Sequence, residues 1–561
     1  MKEFTIQGSG RQVRLNDSDF KASGGQASVY VQGSTAYKVY ADPTQMIPPG
    51  KIQELHALTL PEIVRPKDVL LDNAAAPVGY TMLAVDDAYV LCQLFPRSFR
   101  NRTGLTPETV VDLVQKLRDL TQHCHDNGVL VVDLNEMNYL VDKGFDRLYQ
   151  IDVDSAQTRS FPANALMESV RDRHARPGVF DHGTDWFAFA IVSFQMFAGI
   201  HPYKGMHKSL KTLDDRMIAN VSALHRDVDL PAAVMPFDVI PAIYRDWYRA
   251  VLDTGQRIAP PLGMSATIVI APTVVRTAPV AGGAFLIDAI LHVDGDITAY
   301  VGQVTVSTSG VYLGNRKVAA LGPDTQIAIT PRHLRPIAAW IDNGSVRFRD
   351  LRAEVDLPQS FIAEQMMSTQ GRIYIKQDLA INEVGFVETV NGVVPGLKRV
   401  ASVMPHATQL YEGVAIQHVF GAVYVSLFPA AGVHHSVRVP ELEDMLIVDA
   451  KFDGGVMMVI VESNGRYDKA VVRFDDNFAA YDIRWARDVG AMAVNFVTLD
   501  SGVVVHVNEK DEVEIFRAER GAGSVKVIAD PAVGGDCTLF KSGAQALIAR
   551  GGALSKVSMR P

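Results

Sequence analysis

The pattern of apolar and polar positions changes character once along the chain. In the first half, short strand-like runs alternate with longer stretches of helical period. Thr109 to Cys124 (TVVDLVQKLRDLTQHC) sets Val110, Leu113, Val114, Leu117 and Leu120 three or four residues apart behind Pro107, which predicts a helix with one apolar stripe. Asp185 to Phe197 (DWFAFAIVSFQMF) is apolar almost throughout but has no bilayer-length continuation, which predicts a helix buried in a protein core. From about Met264 the helical period is gone, and Val/Ile-rich runs alternate with Gly, Asp and Asn turns. The stretch between, Gln256 to Gly263 (QRIAPPLG), holds a Pro-Pro pair and marks a boundary. The expected organisation is an α+β domain over 1–261 and an all-β domain over 262–561.

The second half repeats. Turn-like glycines stand at Gly295, Gly344, Gly371, Gly413, Gly454, Gly502 and Gly551, with gaps of 49, 27, 42, 41, 48 and 49 by subtraction. Five of the six gaps fit the length of a β-propeller blade, about 40–50 residues. A sandwich or barrel built of hairpins would show the same short strands. A propeller-like fold is the expectation.

Composition narrows the function classes. A length of 561 residues is too great for one ordinary domain, and the 48% apolar and 21% charged content is that of globular protein. The net charge of −9 offers no general attraction to nucleic acid or to an anionic membrane, and neither is expected as a partner. No run approaches the ~18 apolar residues of a membrane span, and Met1 to Arg14 lacks the apolar core of a secretion signal. Cys92, Cys124 and Cys537 are far apart and form no CxxC pair, which fits a reducing compartment. A soluble, cytoplasmic protein is expected.

Candidate chemistry is confined to the first half. Ala22 to Tyr40 (ASGGQASVYVQGSTAYKVY) reads as a strand, a Gly24-Gly25 turn, a second strand through Val29, a Gly33 turn, and a third strand carrying Lys38. Small residues at such a tip let the backbone approach phosphate oxygens, and a long cation can pair with them. Alone, this is more often a plain hairpin with a surface lysine. About a hundred residues later, GVLVVDLNEMNYLV brings an apolar, strand-like run to Asp133, with Asn138 five residues on, and then a hairpin leads to Ile151-Asp152-Val153-Asp154. One carboxylate there can orient a hydroxyl nucleophile, while an amide and a second carboxylate suit a hard cation such as magnesium.

In this order the three pieces resemble the protein kinase superfamily, over about Phe20 to Arg257. The resemblance is closest to atypical bacterial and phage kinase-like proteins, with GG-x-x-S-V-Y, A-x-K-x-Y, D-L-N-x-x-N and I-D-x-D-S. It implies a bilobal domain, with a small lobe over about 1–85 and a large lobe over about 86–261, binding ATP and Mg2+. Gly24 matches the central glycine over the phosphates, Gly25 neighbours it, and Ala22 stands where a flanking glycine is usual. Val29 would lie over adenine, and Lys38 would pair with the α- and β-phosphates. Glu54, in KIQELHAL, matches the helix glutamate that holds that lysine. Met82 to Val85, Ala84 included, would form the adenine hinge. Asp133 matches the catalytic aspartate, Asn138 and Asp152 the metal-holding pair, and Asp185 the buried aspartate that braces the catalytic loop. Asp154 stands in place of the glycine of D-F-G, His201-Pro202-Tyr203 resembles H-P-F, and Arg257 matches a late arginine of the large lobe.

Some positions depart from the pattern. Val131-Val132 replaces His-Arg before Asp133, which removes the usual receptor for an activating phosphate, and no A-P-E follows. The expected function is a Ser/Thr protein kinase whose β domain binds a protein target or partner. The alternative is a catalytically weak pseudokinase serving as a scaffold or structural protein, and a small-molecule phosphotransferase ranks third.

Overall fold

A computed structural model describes residues 2–24, 26–262, 283–490, 492 and 494–560. Gly25 of the expected phosphate loop, and Gly263 at the expected boundary, lie outside the described residues. The chain divides into two compact units: Met1–Pro96 with Leu105–Thr273 and Ser463–Arg466, and Arg97–Gly104 with Val274–Glu462 and Tyr467–Pro561.

The first unit opens with seven antiparallel strands: β1 (Lys2–Ile6), β2 (Gln12–Leu15), β3 (Phe20–Ser23), β4 (Ala27–Gln32), β5 (Thr35–Tyr40), β6 (Val69–Leu71) and β7 (Pro77–Leu83). Their order in the sheet is β2-β1-β6-β7-β5-β4-β3. Gly33, at φ 56°, makes the tight turn between β4 and β5 that a side chain would strain. Register then aligns Val29 with Lys38 and Lys38 with Tyr80, so these three side chains share one face. A short helix, α1 (Pro49–Leu55), follows β5, with Ile52 and Leu55 in the core and Lys51 buried beside them.

The rest of this unit is mainly helical. In α2 (Pro107–Asp126) the side chain of Thr106 accepts from the Thr109 amide, and the buried face includes Val110, Leu113, Val114, Leu117 and Leu120, the stripe read from the sequence. α3 (His182–Ala198) is capped by Asp181 and ends at Gly199, φ 73°, and every residue from Asp185 to Ala198 is buried. A three-stranded sheet of β8 (Ala88–Val90), β9 (Tyr139–Asp142) and β10 (Leu148–Gln150) lies between α2 and α3 in sequence, save for β8, which precedes α2. Contrary to expectation, the apolar run before Asp133 is not a strand: only Leu130 makes a single bridge, to Gln157. The amides of Val131 and Val132 are both taken by Asp185 and cannot join a ladder.

Among the described residues the second unit contains seven antiparallel sheets. Six follow in sequence: 297–319, 326–362, 365–402, 408–438, 446–486 and 496–529. The seventh joins three C-terminal strands, within 538–559, to the first strand of the unit, Phe285–His292, which pairs antiparallel with Ala553–Met559. Successive sheets share apolar clusters, and Tyr312 of the first packs with Leu547 and Leu554 of the seventh. The first two strands of four successive sheets turn at Gly371, Gly413, Gly454 and Gly502, all with positive φ and 42, 41 and 48 residues apart by subtraction. Gly344 instead lies in a second turn, between the strands Pro336–Asp342 and Ser345–Asp350, which accounts for the short gap of 27.

Gly79 joins this architecture to the chemistry. A Cβ there would stand 2.1 Å from the backbone oxygen of Lys38 on the paired strand. We expect Gly79→Ala to separate β5 from β7, at a cost of about 1–3 kcal/mol. Thermal unfolding checks this, and an unchanged midpoint would contradict it.

Candidate active site

A strand and, about a hundred residues later, the two ends of one hairpin meet through hydrogen bonds. β5 supplies Lys38, whose Nζ donates to Asp152 Oδ1 at 2.9 Å and to Asp154 Oδ2 at 3.0 Å. The hairpin β9–β10 pairs Tyr139 with Gln150, and the Ile151 amide donates to the Asn138 carbonyl at 2.8 Å. Asn138 and Asp152 therefore emerge at the same end of one hairpin. Asn138 Nδ2 in turn donates to the Asp133 carbonyl at 2.9 Å and to its Oδ2 at 3.1 Å. Lys38, Asp133, Asn138 and Asp152 thus form one linked cluster.

The loop bearing Asp133 is held in an unfavourable conformation. Val132 has φ 61° and Asp152 φ 53°, a region that β-branched valine in particular avoids. Each such residue costs on the order of 1–3 kcal/mol and persists only where its surroundings enforce it. Asp185 enforces the first. Its Oδ1 accepts from the Val132 amide at 2.9 Å, and its Oδ2 accepts from the Val131 amide and from His125 Nε2, each at 2.8 Å. Both His125 and Asp185 side chains are 1% exposed. His125 stacks on His182, with ring centroids 4.0 Å apart, and meets the edge of Trp186. His125, in the last turn of α2, is thus a buried donor to Asp185.

Charge around Lys38 is balanced internally. Burial alone would lower the Lys38 pKa, but Asp152 and Asp154 outweigh it and raise it well above the ordinary lysine value. Burial likewise opposes ionisation of Asp154, yet Lys38 and the hydroxyls of Tyr80 and Tyr40 hold its pKa below the ordinary value. Those hydroxyls donate to Asp154 Oδ2 at 2.8 and 3.0 Å. Tyr40 is pushed up to about 12, first by burial and then by the Asp154 charge, so it remains a donor.

Other expected residues fall as follows. Val29 and Ala22 pair across β3 and β4, and Gly24 closes the tip with its amide on the Ala27 carbonyl at 2.9 Å. Met82 pairs with Ala36 beside Lys38, while the Ala84 amide donates to the Ser34 carbonyl at 3.0 Å. Glu54 is a correction. It does not reach Lys38: its Oε2 accepts from the Ser160 amide at 3.1 Å, and the buried polar residue of α1 is Lys51. The helix turns Lys51, not Glu54, inward, and a cation there cannot hold a lysine.

Two contacts escaped the sequence reading. Asp133 Oδ1 accepts the Met167 amide at 2.7 Å. Asp172 receives Arg257 through two bonds of 2.6 Å each, and Arg257 also lies over the Phe187 ring. This ion pair joins residues 85 apart in a region without A-P-E wording, and no local pattern signals it. His201 donates from Nε2 to the Ser169 carbonyl, and its Nδ1 accepts the Tyr203 amide.

No family model matches the chain, and no curated protein matches it. Among solved structures, the ROP18 kinase domain in complex with AMP-PNP and sucrose is 16% identical, with a TM-score of 0.34, over 48% of this chain and 82% of that one. The Cydia pomonella granulovirus kinase PK-1 is 13% identical, with a TM-score of 0.32, over 42% of this chain and 89% of that one. Both TM-scores are below one half, so neither likeness assigns a fold or an activity here.

Asp185→Asn retains one acceptor and leaves one buried amide unpaired, a cost of about 1–3 kcal/mol. The chemical-denaturation midpoint of the variant is expected to fall accordingly, and no change would show that Asp185 does not hold the loop. Burial, chiefly, pushes His201 down to about 3 from the ordinary 6.5. Between these values the unfolded chain binds the extra proton, so stability falls as pH drops from about 6.5 and is unaffected above it. His201→Gln is expected to lose less thermal stability than wild type on going from about pH 7.5 to 5, and an equal loss would acquit His201.

Proposed function

We propose that the first unit is a phosphotransferase of protein-kinase type, using ATP and Mg2+ to phosphorylate Ser or Thr of a protein. The observation that carries this reading is the linked set Lys38–Asp152 and Asn138–Asp133, which joins a strand lysine to a loop and hairpin about a hundred residues later. The acceptor hydroxyl oxygen would bond to the γ-phosphorus as the bond from phosphorus to the bridging oxygen breaks, releasing ADP. Asp133 would orient that hydroxyl and take its proton. Lys38 would neutralise phosphate charge, where most of the barrier reduction in such reactions lies. Asn138 and Asp152 offer a neutral and an anionic oxygen, a donor set that suits Mg2+ completed by phosphates and water. The cation would supply further charge neutralisation at the β- and γ-oxygens. A cation already stands at Asp152, the Lys38 ammonium.

We read the second unit as a seven-bladed β-propeller that binds a protein partner. Support comes from six sheets in sequence and a seventh that the strand Phe285–His292 completes from the other end of the unit. Three buried cysteines in no disulfide, Cys92, Cys124 and Cys537, accord with a cytoplasmic protein. No described helix is long and apolar enough to cross a membrane, and nucleic acid is not proposed as a partner. A second reading, a nucleotide-binding scaffold without turnover, draws on Met167 capping Asp133 and Lys38 occupying Asp152.

Transfer of labelled γ-phosphate with magnesium separates the two. Wild type is expected to label protein, while Lys38→Met and Asp152→Ala lose at least about a hundredfold in rate. Absence of label in wild type, with nucleotide still bound, would favour the scaffold.

A further inference from the structure

We propose that Asp154, and not a helix glutamate, is the residue that positions Lys38, and that the hydroxyls of Tyr40 and Tyr80 hold Asp154 in place. The proposal deepens the phosphotransferase reading above. A lysine that neutralises phosphate must be aimed, and an anion on the neighbouring helix is the simplest means. α1 does not provide it. Glu54 is engaged by the Ser160 amide, and the inward residue is Lys51, 2% exposed, whose Nζ donates to the Pro162 carbonyl at 3.2 Å. A buried cation on the helix leaves Lys38 to find its anion elsewhere.

Two carboxylates reach it. Asp152 is half exposed and is the one whose oxygens a divalent cation would share. Asp154 is different: its side chain is 8% exposed, and a single oxygen, Oδ2, takes Lys38, Tyr40 and Tyr80 within 3.0 Å. The strands bring these three donors to one point. Tyr80 is directly opposite Lys38 in the register of β5 and β7, and Tyr40 is two residues along β5 on the same face. Two neutral donors orient a carboxylate without competing for its charge, so Asp154 can hold Lys38 when Asp152 turns to metal. The titratable groups facing Lys38 are thus Asp152, Asp154, Tyr40 and Tyr80, and Lys51 is near enough to Asp154 to feel its charge.

The test reads the place of Lys38 directly and does not require turnover. Crystal structures of the full chain are compared for wild type, Asp154→Asn, Tyr40→Phe/Tyr80→Phe and Glu54→Gln. In Asp154→Asn the Lys38 ammonium is expected to leave the place it holds in wild type. In the double phenylalanine variant, which keeps both rings, the Asp154 carboxylate is expected to turn away from Lys38. Glu54→Gln leaves both in place. If Asp154→Asn does not fold, the double variant decides, and an unmoved Asp154 in it overturns the proposal. Lys38 moved in Glu54→Gln and unmoved in Asp154→Asn also overturns it. If wild type transfers phosphate, Asp154→Asn should lower kcat about a hundredfold, and Asp154→Glu should recover part of the loss. If wild type is inactive, the phosphotransferase reading fails while the place of Lys38 still judges Asp154.

Discussion

Two adjacent backbone amides, those of Val131 and Val132, point at the buried carboxylate of Asp185, and the candidate site depends on that contact. A valine at φ 61° would relax in an open loop. Here the relaxation would break a hydrogen bond to a carboxylate that has no access to water. The strain is therefore retained, and Asp133, one residue on, is aimed by it. His125 completes the arrangement from α2, so the loop is tied to two helices through one side chain. Both helices are themselves anchored by apolar faces, which transmits the rigidity of the core to the loop.

Opposite charge governs the rest of the site. Lys38 is partly buried and would shed its proton or its position without an anion. Two aspartates two residues apart meet it, one exposed and one enclosed by tyrosines. The enclosed one is structural in character and the exposed one is open to exchange. Asp133 likewise has one oxygen on Met167 and the other on Asn138. The cluster is thus satisfied by its own chain, as buried and half-buried polar groups must be.

In the second unit the constraint is one of edges. A series of antiparallel sheets leaves unpaired strand edges, which invite association with other chains. Pairing the first strand with the last, from Phe285↔Met559 to His292↔Ala553, covers one of these and joins the beginning of the unit to its end.

Much of this was legible in the sequence. The stripe of α2 and the apolar run of α3 follow from the period of the helix, and the hairpin around Gly33 follows from turn chemistry. Lys38, Asp133, Asn138 and Asp152 could be named because each sits at a fixed distance from a recognisable turn or strand. Helix direction decided the fate of Glu54: Lys51, three residues earlier, occupies the buried face, and nothing in KIQELHAL states which of the two points inward. The non-strand conformation of Val131-Val132 depends on an aspartate more than fifty residues away. The same holds for Tyr40 and Tyr80 on Asp154 and for Arg257 on Asp172. Local periodicity and turn residues determine elements because their energies are short-ranged. Ion pairs and buried hydrogen bonds between distant segments are decided only when the chain has folded and water has been excluded from them.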